Sequence, residues 1–587
     1  MHTIQKFKFH IRKKIREVID KEYNTEFSQI MDPFSLQGPS DIDFFSLQEP
    51  PDSEFGDFSF QTFTIATDVH KNAIEIAKNI ANKIKPDEII KSVESTGPYV
   101  NFKLQSKKLA QGVLGEVDKK YGEANLSKSK VLIEYATPNT HKAFHIGHLR
   151  NIITGESIAR ILANAGYKVI KVNYQGDVGM HVAKCIWGVT KLKSEFEKVA
   201  KLKDIDKRVE FLAKAYVKGS SSFEKSKTAQ AEIKELNQRI YDNDELIRKI
   251  YKETRKWSLK YFDKIYQRVN TKFDKFYFES ETFKPGKEIV LANLKKGIFK
   301  NSQGAIIFEG AKHGLHDRVF INSEGNPTYE AKDMALVKMQ LEDYSPAKIF
   351  HVVSKEQTEY FKVIFKAMEY VLPKSKGKQE HLTYGWVNLK QGKMSSRLGN
   401  VVLGEWLLDE VKSEIKKIVA KNSDLKNKQD LTEKISLAAI KYSFLKTGID
   451  RDISFDMAES INLSGNSGPY LQYTYARIQS ILRKSEVGSK KSEVKDFSSI
   501  KDNEHKLILK LALFPEITAE AAEKYEPSLV AKYLFELSQQ FNDYYHQVPI
   551  LKAKSDEKAF RLAMIKSIVT VLDKGINLLG FETVERM

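Results

Sequence analysis

Residues 134–150, EYATPNTHKAFHIGHLR, constrain this chain more than any other stretch. The apolar run Val131-Leu132-Ile133 leads in as a buried strand, and a turn with Pro138 and Asn139 follows. From Leu149, the residues Ile152, Ile153, Ile158, Ile161 and Leu162 recur at helical spacing until Gly166 supplies a stop. A strand, a polar turn and a helix N-terminus make the anion-receiving corner of an α/β sheet, because unpaired N–H groups and the helix dipole both favour negative charge there. In His145-Ile146-Gly147-His148 two imidazoles flank a residue without a side chain. Gly147 lets a flat ring approach the backbone, and His145 and His148 can donate to phosphate oxygens where charge accumulates. A zinc site fits poorly, since the histidines are three apart and no second His/Cys cluster supports them. In isolation the pair reads equally well as two satisfied loop histidines.

Further along, residues 168–174 (KVIKVNY) predict a second strand, followed by the glycine-bearing loop Gln175-Gly176-Asp177-Val178-Gly179, whose spacing is not the dinucleotide fingerprint. Residues 191–277 are rich in Lys and Glu at helical period, which predicts solvated helical faces. The sheet pattern resumes at Ala305–Phe308, Arg318–Ile321 and 349–353, with helices at 330–341 and 358–370. Tyr329 and Asp333 stand four apart at a helix start, on one face. A carboxylate with a flat polar neighbour suits a guanidinium, although such pairs are commonplace. The segment Gly392-Lys393-Met394-Ser395-Ser396-Arg397 is a glycine-bounded loop with two hydroxyls between cations, suited to a triphosphate or equally to a basic surface turn. From residue 431 the pattern is almost wholly helical, and 465–484 mixes aromatic with basic residues that can stack on unpaired bases or simply form core.

At 587 residues the chain should hold several domains. No apolar run approaches the ~20 residues needed to cross a bilayer. The first segment, 4–23, is a basic amphipathic helix without a secretory core, and Glu17, Asp20 and Glu22 argue against a mitochondrial presequence. A single cysteine, Cys185, excludes an internal disulfide and a cysteine-rich zinc module and points to a reducing cytoplasm. The net charge of +18 suits a polyanionic partner such as nucleic acid.

His145-Ile146-Gly147-His148 is similar to the HIGH signature of class I aminoacyl-tRNA synthetases, and PNxxKxFHxGHLR around it resembles the arginyl-tRNA synthetases. Tyr329 and Asp333 match that family's YxxxD, the loop at 393–397 resembles its KMSKS signature, and 465–484 with Leu578-Leu579-Gly580-Phe581 resembles the two ends of its anticodon-binding bundle. Gly56-Asp57-Phe58 and Gly97-Pro98-Tyr99-Val100-Asn101-Phe102 resemble parts of its N-terminal domain. The resemblance implies an α/β class I Rossmann-like parallel-sheet catalytic domain with a helical insertion, an N-terminal α+β domain and a C-terminal all-α helical bundle. The expected boundaries are 1–106 for a tRNA-elbow-binding domain, 107–430 for the catalytic domain with its insertion at about 190–300, and 431–587 for the anticodon-binding domain.

The implied activity is arginine–tRNA ligation: ATP and L-arginine give arginyl-adenylate, with tRNA bound, and arginine passes to the terminal adenosine of tRNA(Arg). Catalysis is expected from His145, His148, Lys142 and Lys393, and ATP binding from these with Gly147, Met394, Ser395, Ser396 and Arg397. Arginine binding is expected from Glu134, Asn139, His145, Tyr329, Asp333 and Gln357; Glu134 could hold either the guanidinium or the α-amino group. Tyr470, Gln472, Tyr473 and Arg477 are expected to meet tRNA. Ser396 stands where the signature has its second lysine, and Lys142, three residues before His145, is expected to supply the missing charge. Mg²⁺ is expected on the ATP phosphates, with no zinc and no membrane partner, in a cytoplasmic monomer. Other readings are a class I ligase for another amino acid such as cysteine, opposed by the absent ligand cysteines and the YxxxD pair; a non-catalytic tRNA-binding relative, opposed by the intact HIGH; and a nucleotidylyltransferase, which needs no helical bundle.

Overall fold

An isoleucine stripe opens the structure, a computed structural model that describes residues 1–23, 45–126, 129–390, 402–423, 425, 427–486, 497 and 499–587. Helix α1 (Thr3–Tyr23) buries Ile4, Phe7, Ile11, Ile15 and Ile19, spaced by three and four as a one-faced helix requires. It accompanies an antiparallel sheet of β1 (Leu47–Gln48), β2 (Phe58–Gln61), β3 (Ile90–Thr96) and β4 (Tyr99–Leu104) in the order β1-β2-β4-β3, with helices α2 (Ala73–Lys83) and α3 (Ser106–Glu116). Chain contacts define two units. One comprises Met1–Gly122, Arg477–Ile517 and Tyr533–Lys574, and the other Glu123–Ala476, Thr518–Lys532 and Gly575–Met587.

The second unit contains the corner singled out by the sequence. Its strands are β5 (Lys130–Glu134), β6 (Lys168–Gln175), β7 (Lys275–Phe278), β8 (Lys300–Ser302), β9 (Ala305–Phe308), β10 (Arg318–Ile321), β11 (Lys348–Ser354), β12 (Gln379–Tyr384), β13 (Val387–Leu389) and β14 (Ile453–Phe455). Five of them form a parallel sheet in the order β12-β11-β5-β6-β7. After β5 the chain builds outward through β6 to β7, then returns to β11 on the other side of β5. The junction of β5 and β11 is therefore the switch point where an open parallel sheet leaves a crevice at its carboxyl edge. Glu134 ends β5 and registers opposite His351 of β11 at that edge.

Helix α4 (Ile146–Asn164) follows β5, and α5 (Met180–Lys191) follows β6. Between α5 and β7 run α6 (Ile205–Lys225), α7 (Lys227–Tyr241) and α8 (Glu245–Arg268). Despite their charged exteriors they share apolar cores, with Cys185, Phe211, Leu212 and Trp257 in one cluster and Val182, Ile186, Ile233 and Ile240 in another. Helices α9 (Glu279–Leu294), α10 (Tyr329–Tyr344) and α11 (Thr358–Val371) cover the sheet, where Leu132, Ile170, Val172 and Ile349 pack with Val290, Met334, Val337 and Ile364. Later in the sequence come α12 (Gly404–Ala420) and α13 (Lys428–Leu445), then α14 (Gly468–Glu486), α15 (Asp502–Glu523), α16 (Pro527–Gln547) and α17 (Ser555–Leu578), so that the C-terminal part of the chain is helical, as expected.

Two strand readings change. β9 and β10 do not extend the main sheet; with β8 they form a separate antiparallel sheet, order β10-β9-β8. The edge strands of the main sheet are instead β7, inside the stretch that reads as helical, and β12. Both are short edge strands with mixed burial, Lys275–Phe278 and Gln379–Tyr384, and so lack the continuous apolar run that marks a central parallel strand.

Candidate active site

The turn between β5 and α4 is bent by three non-glycine residues with positive φ, Ala136 (76°), Thr137 (41°) and His141 (63°). Each such residue costs on the order of 1 kcal/mol, so the surroundings must hold the turn. Asn151, on the second turn of α4, accepts from the Ala136 N–H at 2.5 Å and donates to the Val352 carbonyl at 2.7 Å, tying the turn to β11. On its other side the turn bridges the loop after β6: Asn139 pairs with Gly176, and Thr140 N–H donates to the Gly176 carbonyl at 2.8 Å. A Cβ at Gly176 would lie 2.0 Å from Asn139 Oδ1, so glycine is required for this approach.

His145 caps α4. Its Nδ1 accepts from Gly147 N–H at 3.1 Å, while His145 N–H donates to His148 Nδ1 at 3.3 Å, and the two rings stack with centroids 3.8 Å apart. Burial lowers both imidazole pKa values, with Lys142 adding to the effect on His145, and His145 and Lys142 adding to it on His148. Both rings are therefore neutral at pH 7, and since each Nδ1 accepts a backbone N–H, each ring carries its proton on Nε2. Two Nε2–H donors thus accompany the N-terminus of α4, where the unpaired N–H groups and dipole favour an anion. Lys142 belongs to the same corner. Burial and Lys184 lower its pKa and Glu279 raises it, and among the described residues no carboxylate lies within 4 Å of its amino group.

Carboxylates gather beside this corner. Glu134 is buried; its Oε2 accepts from Gln340 Nε2 at 2.6 Å, and its Oε1 lies 3.6 Å from His351 Nδ1. Asp333 accepts from the Tyr360 hydroxyl at 2.7 Å, and its pKa is pushed well above the usual range by burial and by Glu134, Glu279 and Glu330. Glu279 pairs with the buried Lys332 at 2.9 Å, and Lys332 also donates to Tyr241 of α7 at 3.2 Å. Glu330 pairs with Arg318 at 3.2 Å. Two of the four carboxylates thus have cations within the protein. Glu134 and Asp333, among the described residues, have only the neutral donors Gln340 and Tyr360 and the imidazole of His351.

The residues expected from sequence are not all equally placed. Tyr329 opens α10 with 58% of its surface exposed; partial burial and the nearby Glu279 and Asp333 raise its pKa, and Lys332 lies over its ring at 5.1 Å. Gln357 is exposed and closes the short 3-10 turn Lys355–Gln357 before α11. Lys393, Met394, Ser395, Ser396 and Arg397 lie outside the described residues. Tyr470 is buried, and Gln472 donates to the carbonyls of Glu582 (2.6 Å) and Lys434 (3.3 Å), which commits its amide inside the protein. Tyr473 is half-buried, and Arg477 donates to Asn542 Oδ1 at 2.5 Å and lies over the ring of Tyr545 at 5.4 Å.

Sequence reasoning missed Gln340, Tyr360, Glu279 and His351. Gln340 had a signal, being seven residues beyond Asp333 and so two turns along the same helix face. The others had none, because they reach the site from separate elements.

Comparisons with known proteins give one consistent family. A family model described as tRNA synthetases class I (R), catalytic domain, matches residues 111–457; the DALR anticodon binding domain matches 471–587, and the arginyl tRNA synthetase N terminal domain matches 9–104. The arginine–tRNA ligase of Borrelia hermsii is 33% identical over 550 residues, covering 91% of this chain and 93% of that one. The Treponema denticola arginine–tRNA ligase is 34% identical over 553 residues, with the same coverage. In fold, the chain is similar to the Thermus thermophilus arginyl-tRNA synthetase structure (TM-score 0.80, 24% identity, 98% of this chain and 99% of that one) and to the Plasmodium falciparum one (TM-score 0.77, 21% identity, all of both chains).

Proposed function

The chain belongs to the arginyl-tRNA synthetase family, and we propose that it selects arginine through Glu134 and Asp333 and activates it at the corner formed by Lys142, His145 and His148. As an arginine–tRNA ligase it joins L-arginine to tRNA(Arg) at the expense of ATP. The carboxylate of arginine attacks the α-phosphorus of ATP, forming a C–O–P link and expelling pyrophosphate. The 3′-terminal adenosine of tRNA, through its 2′-hydroxyl as in class I enzymes, then takes the arginyl group and AMP leaves.

One observation carries the selection of arginine. Of the four clustered carboxylates, Glu134 and Asp333 have no lysine or arginine partner among the described residues, Glu134 facing only the imidazole of His351 beside its amide donor. Arginine brings two positive groups, a guanidinium and an α-ammonium, which balance those two charges. A neutral side chain would leave one buried carboxylate uncompensated, which is strongly unfavourable. Asn139, His145, Tyr329 and Gln357 complete the polar surroundings in this reading.

At the ATP, charge builds on the α-phosphate and the leaving pyrophosphate. The Nε2–H groups of His145 and His148, the Lys142 ammonium and the N-terminus of α4 stabilise it without exchanging protons, and Gly147 leaves room for the adenine. Lys393, Met394, Ser395, Ser396 and Arg397, which lie outside the described residues, would bind the triphosphate, with Lys142 supplying the charge that Ser396 lacks. Mg²⁺ enters as part of the nucleotide substrate on its phosphate oxygens. Among the described residues no group of three or more His, Cys, Asp or Glu is placed to hold a metal ion.

For tRNA, Tyr473 and Arg477 on α14 offer an aromatic and basic surface, with buried Tyr470 and Gln472 supporting the helix. In the N-terminal domain, Phe55, Tyr99 and Asn101 line a cavity of about 400 Å³ that suits an unpaired base. The domain limits 1–106, 107–430 and 431–587 and a cytoplasmic monomer belong to the same reading. No described helix is long and apolar enough to cross a membrane.

The test is aminoacylation of total tRNA with each of the twenty labelled amino acids, with pyrophosphate release followed with and without tRNA. Charging by arginine alone, and pyrophosphate only with tRNA, is expected. Charging by another amino acid would overturn the roles of Glu134 and Asp333, and wild-type activation by Lys142→Ala would overturn that of Lys142.

A further inference from the structure

His141 is the residue before Lys142, and its backbone has φ 63°, a region in which a residue with a Cβ stays only when it is held. Helix α8 does the holding. Ser258 Oγ accepts from His141 N–H at 3.0 Å, and Thr254 Oγ1 lies 2.8 Å from Nε2. Thr254 donates its own hydroxyl to the Ile250 carbonyl at 2.8 Å, so towards His141 it accepts, and Nε2 carries the ring proton. Nδ1 then carries no proton and lies 2.9 Å from Thr140 Oγ1, whose hydroxyl is shared with the Gly176 carbonyl at 3.2 Å, and the ring stacks on Tyr251 with planes 10° apart. The ring is neutral: burial, helped by His181 and Arg255, pushes its pKa down to about 3.

Helix α8 is itself anchored near the sheet. Arg255 Nε donates to the buried Asp177 at 2.7 Å, and Asp177 accepts from Ser280 N–H (2.8 Å) and hydroxyl (2.7 Å) at the start of α9. A continuous path of hydrogen bonds thus runs from the loop after β6, through α8, to the backbone of residue 141. None of these groups has a part in the chemistry. The side chain that follows does: the Lys142 ammonium is felt by His145, His148, His181 and Glu279.

We propose that His141 is a positioning residue for Lys142, and that Thr254 and Ser258 of the helical insertion are its anchor. The inference rests on the reading of Lys142 as the cation on the ATP phosphates. Without the anchor, residue 141 relaxes towards right-handed backbone, which redirects the following side chain and withdraws the ammonium from the corner.

A double-mutant cycle on the full-length enzyme, read as tRNA-supported pyrophosphate exchange, separates this from simple packing. Thr254→Val should lower kcat about tenfold while KM for arginine stays within about twofold, and in a Lys142→Ala background it should cost less than about twofold more, as coupled sites do. Thr254→Ser, which keeps the acceptor, should restore the wild-type rate. Equal fold-losses in both backgrounds would overturn the proposal, as would failure of the serine to rescue. Should Thr254→Val not fold, His141→Leu, which cannot bond Thr254 and disfavours the left-handed region, carries the same cycle. If Lys142→Ala is impaired and the Thr254 and His141 variants are not, the Lys142 reading stands and this proposal falls. If Lys142→Ala is fully active while they are impaired, both fall.

Discussion

Gln340 donates its side-chain amide to the Glu134 carboxylate at 2.6 Å, across 206 residues of sequence. An amide fixes a buried carboxylate without neutralising it, so the negative charge remains available to a cationic ligand. Gln340→Lys would place a permanent cation there instead. KM for arginine should rise by about tenfold or more, the order of one charge-assisted hydrogen bond, with KM for ATP little changed. Equal KM for arginine in the two proteins would remove Glu134 from the arginine site.

Asp333 gives a pH dependence. Its pKa is raised in the folded, ligand-free enzyme by burial and by Glu134, Glu279 and Glu330, so the fold binds its proton more tightly than the unfolded chain does. The stability it contributes is complete below the unfolded pKa and is lost as pH rises through the folded one. Asp333→Asn should therefore raise the Tm of the free enzyme at pH 7 while abolishing arginine binding. In the wild type, KM for arginine should climb as pH falls through the raised pKa. Calorimetry on the two proteins at pH 5 and pH 7.5 tests the first part, and an unchanged Tm difference between these pH values would refute it.

Gly176→Ala separates positioning from folding. The new Cβ meets Asn139 Oδ1 at 2.0 Å, the end of a side chain that can move, and Glu279 Oε1 at 3.2 Å. The variant should fold with a stability loss of about 1 kcal/mol or less, but displace Asn139. Steady-state kinetics should show KM for arginine raised several-fold; a normal value would mean that Asn139 does not touch the substrate.

Lys441 supplies a second titration, remote from the chemistry. It is buried, its pKa is lowered to about 7 by burial and by Arg160 against the pull of Glu156 and Glu582, and it donates to the carbonyls of Val269 (2.6 Å) and Gly580. A neutral amine has two N–H donors, matching those two acceptors. Because the folded pKa lies below the unfolded one, the unfolded chain holds the extra proton between about pH 7 and 10. Wild-type stability should thus gain up to about 1.4 kcal/mol per pH unit over that window relative to Lys441→Met. Urea unfolding at pH 7, 8 and 9 measures the slope, and parallel slopes in the two proteins would show that Lys441 stays charged.

The readings that held from sequence were local ones. The corner at 134–150 and the placement of Tyr329 and Asp333 on one helix face each follow from spacing along a strand or a helix, where backbone geometry sets which side chains are neighbours. The central strands β5, β6 and β11 were legible for the same reason, through their apolar runs. Tertiary structure decided what depends on closure between distant segments. It set β7 and β12 at the edges of the main sheet and drew β9 and β10 into a sheet of their own. It turned the Gln472 amide towards Glu582 and Lys434. Above all, it paired Glu279 with Lys332 and Glu330 with Arg318 and left Glu134 and Asp333 with neutral donors. All four carboxylates look alike in the sequence. Which of them is left without a lysine or arginine of the protein, and so open to a cationic ligand, is a matter of a few ångströms between elements far apart in the chain, and no local pattern encodes that.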